Sequence, residues 1–275
     1  MPAQFALING KQTSTISIDD RGLNYGDGVF RTLAVVESRP KHQEQQLNKL
    51  FADCERLFIP IPDKTLLRQE IALICSQLTS EKAALKIIIT RGKGDRGYRI
   101  NPNVEPTRIL AVYPWPEYSL ENYQQGVQIR ICQTKLGYNS QLAGIKHLNR
   151  LEQILARHEW QDAAIAEGIM LDQENRVISG TFTNIFLVKN QRLITPDLSL
   201  CGVAGVMRQI ILAKAHQQGQ ACEIRTVSIN ELLTAEAIFL TNSLIGIWPV
   251  RQLASTIYLK EKRDLYYQLL YKFLA

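Results

Sequence analysis

Leu142-Ala143-Gly144-Ile145-Lys146-His147-Leu148-Asn149-Arg150-Leu151-Glu152 is the stretch on which the reading of this chain turns. A turn of small residues lets the main chain approach a neighbour closely. A single lysine follows, at the mouth of an amphipathic helix expected over 147–160. Lysine does covalent chemistry with carbonyl compounds when burial or a nearby cation lowers its ammonium pKa. A lone lysine at a turn is more often a solvated cap, so the rest of the sequence has to decide.

The chain has 275 residues, a formal net charge of +6, 45% hydrophobic and 21% charged residues. That length suits one large or two modest domains, and the composition is that of a globular protein able to bury a core without cross-links. A basic balance attracts nucleic acid, a membrane surface or anionic small molecules. The lysines and arginines are scattered, with no basic run, and a phosphate cofactor with an acidic metabolite explains the charge as well as nucleic acid does. The five cysteines, Cys54, Cys75, Cys132, Cys201 and Cys222, are odd in number and never spaced as C-x-x-C. This argues against a zinc ribbon or a secreted disulfide framework. No amino-terminal signal pattern and no long apolar run appears, so the expectation is a cytoplasmic protein without a membrane span.

Outward from the lysine, the chain reads as α+β. A hairpin is expected from a strand at residues 5–8, a turn at Asn9-Gly10 and a return strand over 11–18. A strand follows at 29–36. Leu47, Leu50, Cys54, Leu57 and Phe58 recur at helical spacing, and Pro60 and Pro62 close that helix. A second helix spans 64–78, with Asp63 as N-cap. Apolar runs at 85–90 and 108–112 read as strands. Pro114 and Pro116 mark a linker, which divides the chain into an N-terminal domain, 1–117, and a larger C-terminal domain, 118–275. In the second, strands are expected at 127–132, 168–171, 176–178, 185–188, 192–194, 221–227, 237–241 and 246–250. Helices are expected over 204–217 and 258–273. Strands and helices do not alternate one by one, which favours α+β over a parallel doubly wound sheet.

Several chemistries are excluded. The four histidines form no metal-ligand spacing, so no metal is expected. No G-x-S-x-G elbow supports a serine hydrolase. Arg91-Gly92-Lys93-Gly94-Asp95-Arg96-Gly97 is glycine-rich but matches neither the phosphate loop nor the dinucleotide fingerprint. It reads as a loop whose basic residues could contact an anion.

The segment 142–152 resembles the lysine segment of the 4-amino-4-deoxychorismate lyases, which are class IV aminotransferase-like, or fold-type IV, pyridoxal-phosphate (PLP) enzymes. Other pieces agree in order. Gly26-Asp27-Gly28-Val29-Phe30 is similar to the family's early segment. Thr90 to Tyr98 resembles its substrate loop, and Asn184-Ile185-Phe186 an element after the lysine. Gly202-Val203-Ala204-Gly205-Val206-Met207 resembles the start of its phosphate-binding helix. Leu240 to Val250 resembles its last cofactor-contacting strand and loop. The resemblance covers nearly the whole chain.

It implies a two-domain fold-type IV enzyme, a homodimer without nucleic-acid or membrane partners, that turns 4-amino-4-deoxychorismate into 4-aminobenzoate and pyruvate in folate biosynthesis. Lys146 would carry PLP as a Schiff base and act as general base. The phosphate dianion would sit on the helix start at Val206 and Met207, with Thr241, Asn242 and Lys49 as further contacts. Asn184 would also line the cofactor. Two positions depart from the pattern: Lys49 stands where the family usually has arginine, and Ser179 where it usually sets a glutamate against the pyridine nitrogen. A serine supplies no negative charge there, which leans away from amino transfer. Arg91, Arg96, Tyr98 and Arg31 are the candidates for the substrate's carboxylates, while Arg21 and Arg99 read as surface charges. The alternatives are a D-amino-acid or branched-chain aminotransferase on the same fold and, more remotely, an anion- or nucleic-acid-binding protein.

Overall fold

In the computed structural model, residues 2–273 are described. The chain divides into two compact units: residues up to Glu117 together with Lys146–Asn149, and Tyr118–Ile145 with Arg150 onward. The Pro114–Pro116 linker lies at the first division. The second division was not visible in the sequence: four residues beginning with Lys146 belong to the first unit.

The first unit contains β1 (Phe5–Ile8), β2 (Lys11–Gln12), α1 (Arg21–Tyr25), β3 (Gly28–Val36), β4 (Arg39–Pro40), α2 (Gln43–Arg56), α3 (Lys64–Ser76), β5 (Lys82–Thr90) and β6 (Thr107–Pro114). Its antiparallel sheet has the order β2-β1-β6-β5-β3-β4. Strand parity decides which residues meet the helices. In β3, Val29, Arg31, Leu33 and Val35 are buried, while Phe30 and Thr32 on the opposite parity are partly exposed. α2 packs on β3, and α3 on β1 and β6. Asp63 caps α3 by accepting from the Leu66 N–H at 2.7 Å, as expected. The return strand expected over 11–18 is only two residues long. The short helix α1 was not foreseen. Asp20 caps it, accepting from the Gly22 N–H at 2.8 Å, and its other oxygen takes the hydroxyls of Thr90 and Thr107 at 2.9 and 2.7 Å.

The second unit contains α4 (Glu121–Gln124), β7 (Val127–Leu136), α5 (Leu151–His158), β8 (Ile165–Asp172), β9 (Val177–Gly180), β10 (Asn184–Lys189), β11 (Arg192–Pro196), α6 (Val206–Gln217), β12 (Cys222–Arg225), α7 (Ile229–Leu233), β13 (Ala237–Asn242), β14 (Gly246–Leu253), β15 (Thr256–Ile257) and α8 (Lys260–Lys272). Its sheet is mixed, in the order β12-β11-β10-β13-β14-β7-β8-β9, with β15 on β14. The pairs β11–β12, β14–β7 and β7–β8 are parallel. β10 and β13 read as unbroken apolar runs because both faces are covered. Ile185, Leu187, Ile238 and Leu240 pack in a cluster with Trp248. Phe186, Val188 and Phe239 pack with Ile211 of α6 and Leu270 of α8.

The helix expected over 147–160 begins only at Leu151. The reason is a competing partner for the main chain. His147 forms an antiparallel bridge with Val29, the Phe30 N–H donates to the Lys146 carbonyl at 2.9 Å, and the Leu148 N–H to the Gly28 carbonyl at 3.0 Å. A backbone engaged beside β3 cannot also enter a helix.

Candidate active site

Lys146 is held at both main-chain atoms. Its N–H donates to Asp53 Oδ2 at 3.2 Å, and its carbonyl accepts from Phe30. Its Nζ lies 4.5 Å from the centre of the Phe30 ring, a cation–π distance. Lys86 of β5 places its own Nζ 5.0 Å from the same ring, and burial pushes its ammonium below the ordinary lysine value.

The Gly26-Asp27-Gly28 segment has a physical reason at each position. Gly26 closes α1 in the left-handed region at φ 63°, and a Cβ there would come within 2.5 Å of the Asn149 side chain. A Cβ on Gly28 would meet the Ile89 carbonyl and Leu148 at 2.7 Å. Between them, Asp27 accepts from Arg21 Nε at 2.9 Å and Arg91 Nε at 2.7 Å. Burial works to raise the Asp27 carboxyl. The hydrogen bonds and charges of Arg91 and Arg21 outweigh it and hold the group below the usual carboxylate range.

This corrects two expectations. Arg91 is 3% exposed and donates to both Asp27 oxygens and to the carbonyls of Leu57 and Phe58. It clamps Asp27, just after α1, to the main chain that follows α2. Arg21 is buried as well, donating to Asp27 and to the Gly97 carbonyl, so it is not a surface charge. Arg31 is a third correction. Its strand parity turns it into the core, where it pairs with the fully buried Asp53 of α2. Arg96 and Tyr98 remain exposed on the glycine-rich loop. Tyr98 packs edge-on against Tyr25 at 5.6 Å, and the Gly97 N–H donates to the Tyr25 hydroxyl. Lys49 is half-buried, 2.5 Å from Asp53 Oδ1. Burial pushes its ammonium down, Asp53 opposes this, and Arg31 and Arg56 add to the lowering.

In the second unit, the start of α6 is built by three segments. Asn184 donates from Nδ2 to the Val203 carbonyl at 2.8 Å and accepts the Gly205 N–H on Oδ1 at 3.0 Å. Gly144 pairs alongside, its N–H reaching the Gly202 carbonyl and its own carbonyl accepting from Ala204. No side chain caps α6 at Gly205, and a Cβ there would lie 2.3 Å from Asn184 Oδ1. The N–H groups of Val206 and Met207 lie in the first turn of a helix, where no intrahelical acceptor exists. Asn184 therefore shapes this cradle.

Thr241 and Asn242 have other engagements than those expected. The single Thr241 hydroxyl proton goes to the Gly246 carbonyl at 2.6 Å. Asn242 Oδ1 accepts from the N–H groups of Leu244 and Ile245, which makes it the former of the β13–β14 turn. Ser179 is buried and donates its hydroxyl to the Gly180 carbonyl at 2.9 Å, leaving its oxygen as an acceptor.

The sequence reading did not single out Glu167. It is fully buried, and its carboxylate accepts from the N–H groups of Gly168, Thr181 and Phe182 and the hydroxyls of Thr181 and Thr183. Asp53, Phe30 and Lys86 were also passed over. The signals were present: Asp53 lies four residues after Lys49 on one helix, and Phe30 and Lys86 share a sheet face.

No cluster of His, Cys, Asp and Glu suited to a metal exists among the described residues, and no described helix is long and apolar enough to cross a membrane. Five of the 32 lysines and arginines, Arg21, Arg31, Arg91, Arg208 and Arg263, are buried.

With this geometry in hand, comparison with known proteins defines the class. The pattern of the class IV amino-transferases matches residues 28–253, and the chain belongs to that family. Within it, the chain is 35% identical to the aminodeoxychorismate lyase of Vibrio harveyi, over 88% of this chain and 89% of that one. It resembles the crystal structure of 4-amino-4-deoxychorismate lyase from Pseudomonas aeruginosa with a TM-score of 0.90 and 46% identity, covering 96% and 97% of the two chains. The branched-chain amino acid aminotransferase of Escherichia coli shares the fold at TM-score 0.83 and 20% identity, over 98% of this chain and 92% of that one.

Proposed function

We propose that the chain is a PLP-dependent lyase that converts 4-amino-4-deoxychorismate into 4-aminobenzoate and pyruvate, a step of folate biosynthesis. The observation that carries this reading is Lys146, a primary amine set on an aromatic face by a main chain held at both N–H and carbonyl. The similarity to lyases from two other bacteria supports the choice of substrate.

PLP suits the donor set. The uncapped start of α6 offers the Val206 and Met207 N–H groups to a phosphate dianion, and Gly205 must lack a Cβ for Asn184 to hold that turn. The family resemblance assigns Lys49 to the phosphate as well. Thr241 and Asn242 shape the adjoining turn. Ser179, with its proton committed to Gly180, would offer the ring nitrogen an acceptor. When bound, PLP supplies an electron sink for charge developing at the amine-bearing carbon. Lys146 removes the proton from that carbon as general base. The electrons released close the aromatic ring and expel the neighbouring enolpyruvyl oxygen. Lys146 then returns the proton to the departing fragment, which leaves as pyruvate. Atoms balance without water or an oxidant. Ser179 brings no negative charge to the ring nitrogen, a weaker arrangement for amino transfer than for an elimination driven by aromatisation. Arg96 and Tyr98, exposed on the loop, are the groups we assign to the substrate's carboxylates. The reading extends to a homodimer in the cytoplasm.

The test is a product assay. Purified protein with PLP and aminodeoxychorismate should release 4-aminobenzoate and pyruvate in equal amounts, and Lys146→Ala should abolish both. Borohydride should fix the cofactor to the peptide that contains Lys146. Amino transfer to a 2-oxo acid without pyruvate release would replace the lyase by an aminotransferase.

A further inference from the structure

Asp53 is a carboxylate that touches the lysine segment, and nothing in the reaction above uses it. It is fully buried on α2 and gathers three donors of different kinds: the Arg31 guanidinium, the Lys49 ammonium at 2.5 Å and the Lys146 main-chain N–H at 3.2 Å. One negative charge thus faces two cations in a buried setting, and Arg31 Nε has no acceptor of its own. The charged and titratable groups near it are Arg56 and Cys54 on α2, Arg91, whose charge acts on Cys54, Lys86 of β5 on the Phe30 ring that Lys146 also meets, and His147 next to Lys146 in the chain. Burial pushes the Cys54 thiol up to about 12, so that group stays neutral at ordinary pH.

We propose that Asp53 is a positioning residue for Lys146: its carboxylate fixes the main chain that carries the amine and sets the local charge under which that amine binds and releases protons. The proposal rests on the assignment of Lys146 as the covalent anchor of PLP. Arg31 holds the carboxylate in place from the sheet, and Lys49 balances it from the next turn of α2. A lysine side chain is short enough that Asp53, in contact with the Lys146 N–H, acts on the nitrogen at its end through less than a Debye length of protein. Removing this negative charge disfavours a protonated nitrogen there. Removing the neighbouring positive charge of Lys49 favours one.

The experiment uses the PLP-loaded protein and reads the pH at which the visible absorbance of the bound cofactor changes. In Asp53→Asn that midpoint should fall by about half a pH unit or more. In Lys49→Gln it should rise. Opposite shifts from neighbouring residues are what local charge produces; a merely structural loss moves neither midpoint in a defined direction. If Asp53→Asn does not fold because Arg31 is left unpaired, Arg31→Met/Asp53→Asn removes the buried pair together, and its midpoint should still be lower than that of Arg31→Met. Midpoints unchanged in Asp53→Asn or in the double variant, with the cofactor fixed by borohydride to Lys146, overturn the role of Asp53 and leave the lysine assignment standing. Cofactor fixed to a different lysine in the unaltered protein overturns both.

Discussion

Replacing Asp27 with asparagine should unfold the first unit far more easily, without the substitution touching a proposed ligand. The Asp27 side chain is 15% exposed, and the Arg21 and Arg91 side chains beside it are 6% and 4% exposed. Asparagine keeps the shape but removes the charge and turns an amide N–H₂ toward guanidinium N–H groups. Two buried cations are then left side by side. Removing one partner from a buried pair costs about 3–5 kcal/mol. With a urea slope of roughly 2 kcal/mol/M for a unit of this size, the midpoint should drop by about 1.5–2.5 M. Urea titration followed by fluorescence measures this, and amide exchange in β3 and β5 assigns the loss to the first unit. The pH dependence has a definite sign. A carboxyl held below its unfolded value contributes stability above about pH 3.9, lost as pH falls through the depressed folded value. The gap between the natural protein and Asp27→Asn should therefore narrow in acid below that point. A midpoint within about 0.3 M of the natural protein at pH 7, or a gap indifferent to acid, would show that the guanidiniums rehydrate and that the cluster is no clamp.

Two further substitutions probe the second unit. Gly205→Ala puts a Cβ 2.3 Å from Asn184 Oδ1 and forces that side chain to swing, with loss of its bonds to Val203 and Gly205. PLP affinity, read by absorbance titration, should weaken about tenfold or more, the equivalent of one hydrogen bond misplaced; an unchanged affinity removes the start of α6 from the cofactor site. Glu167→Ala leaves five donors without their acceptor and should cost about 3–5 kcal/mol in urea. Burial pushes the Glu167 carboxyl up, against the hydrogen bonds of Thr181, Gly168, Phe182 and Thr183. Its effect on stability therefore runs opposite to that of Asp27: stability falls as pH rises from the ordinary glutamate value through the raised folded one, a slope that Glu167→Gln should lack.

The elements most legible in the sequence were those with strong local signals. β10 and β13 are short apolar runs bounded by polar residues, and the structure extends each by a residue or two at its ends. α3 announces itself through Asp63, and α7 could have been found from Ser228 and Glu231, which form a capping box. The start of α5 was not legible. Residues 147–150 have helical periodicity, yet His147 and Leu148 pair with β3, a partner more than a hundred positions away in the chain. Local propensity cannot register a competitor at that separation. Arg31 lies between these cases. Its alternation with Val29, Leu33 and Val35 placed it on the core side, a signal overridden by the chemical appeal of a guanidinium.

The cations singled out in the sequence thus separate by their carboxylate partners. Asp27 takes Arg91 and Arg21, joined to it across 64 and 6 positions. Asp53 takes Arg31 and holds Lys49. Each of these guanidiniums is fixed before a substrate arrives, and leaving its carboxylate would strand a buried charge. Arg96 and Tyr98 have no carboxylate partner of this kind: both side chains are exposed, Tyr98 rests edge-on against Tyr25, and the loop main chain is tied at Gly92, Gly94 and Gly97. The buried arginines are therefore structural. They fix the base of a loop whose tip carries the remaining cation, and they fix the helix from which Asp53 reaches Lys146. In the proposed function, carboxylate recognition thus falls to exposed side chains on a tethered loop, while Lys146 is held at both its main-chain N–H and its carbonyl.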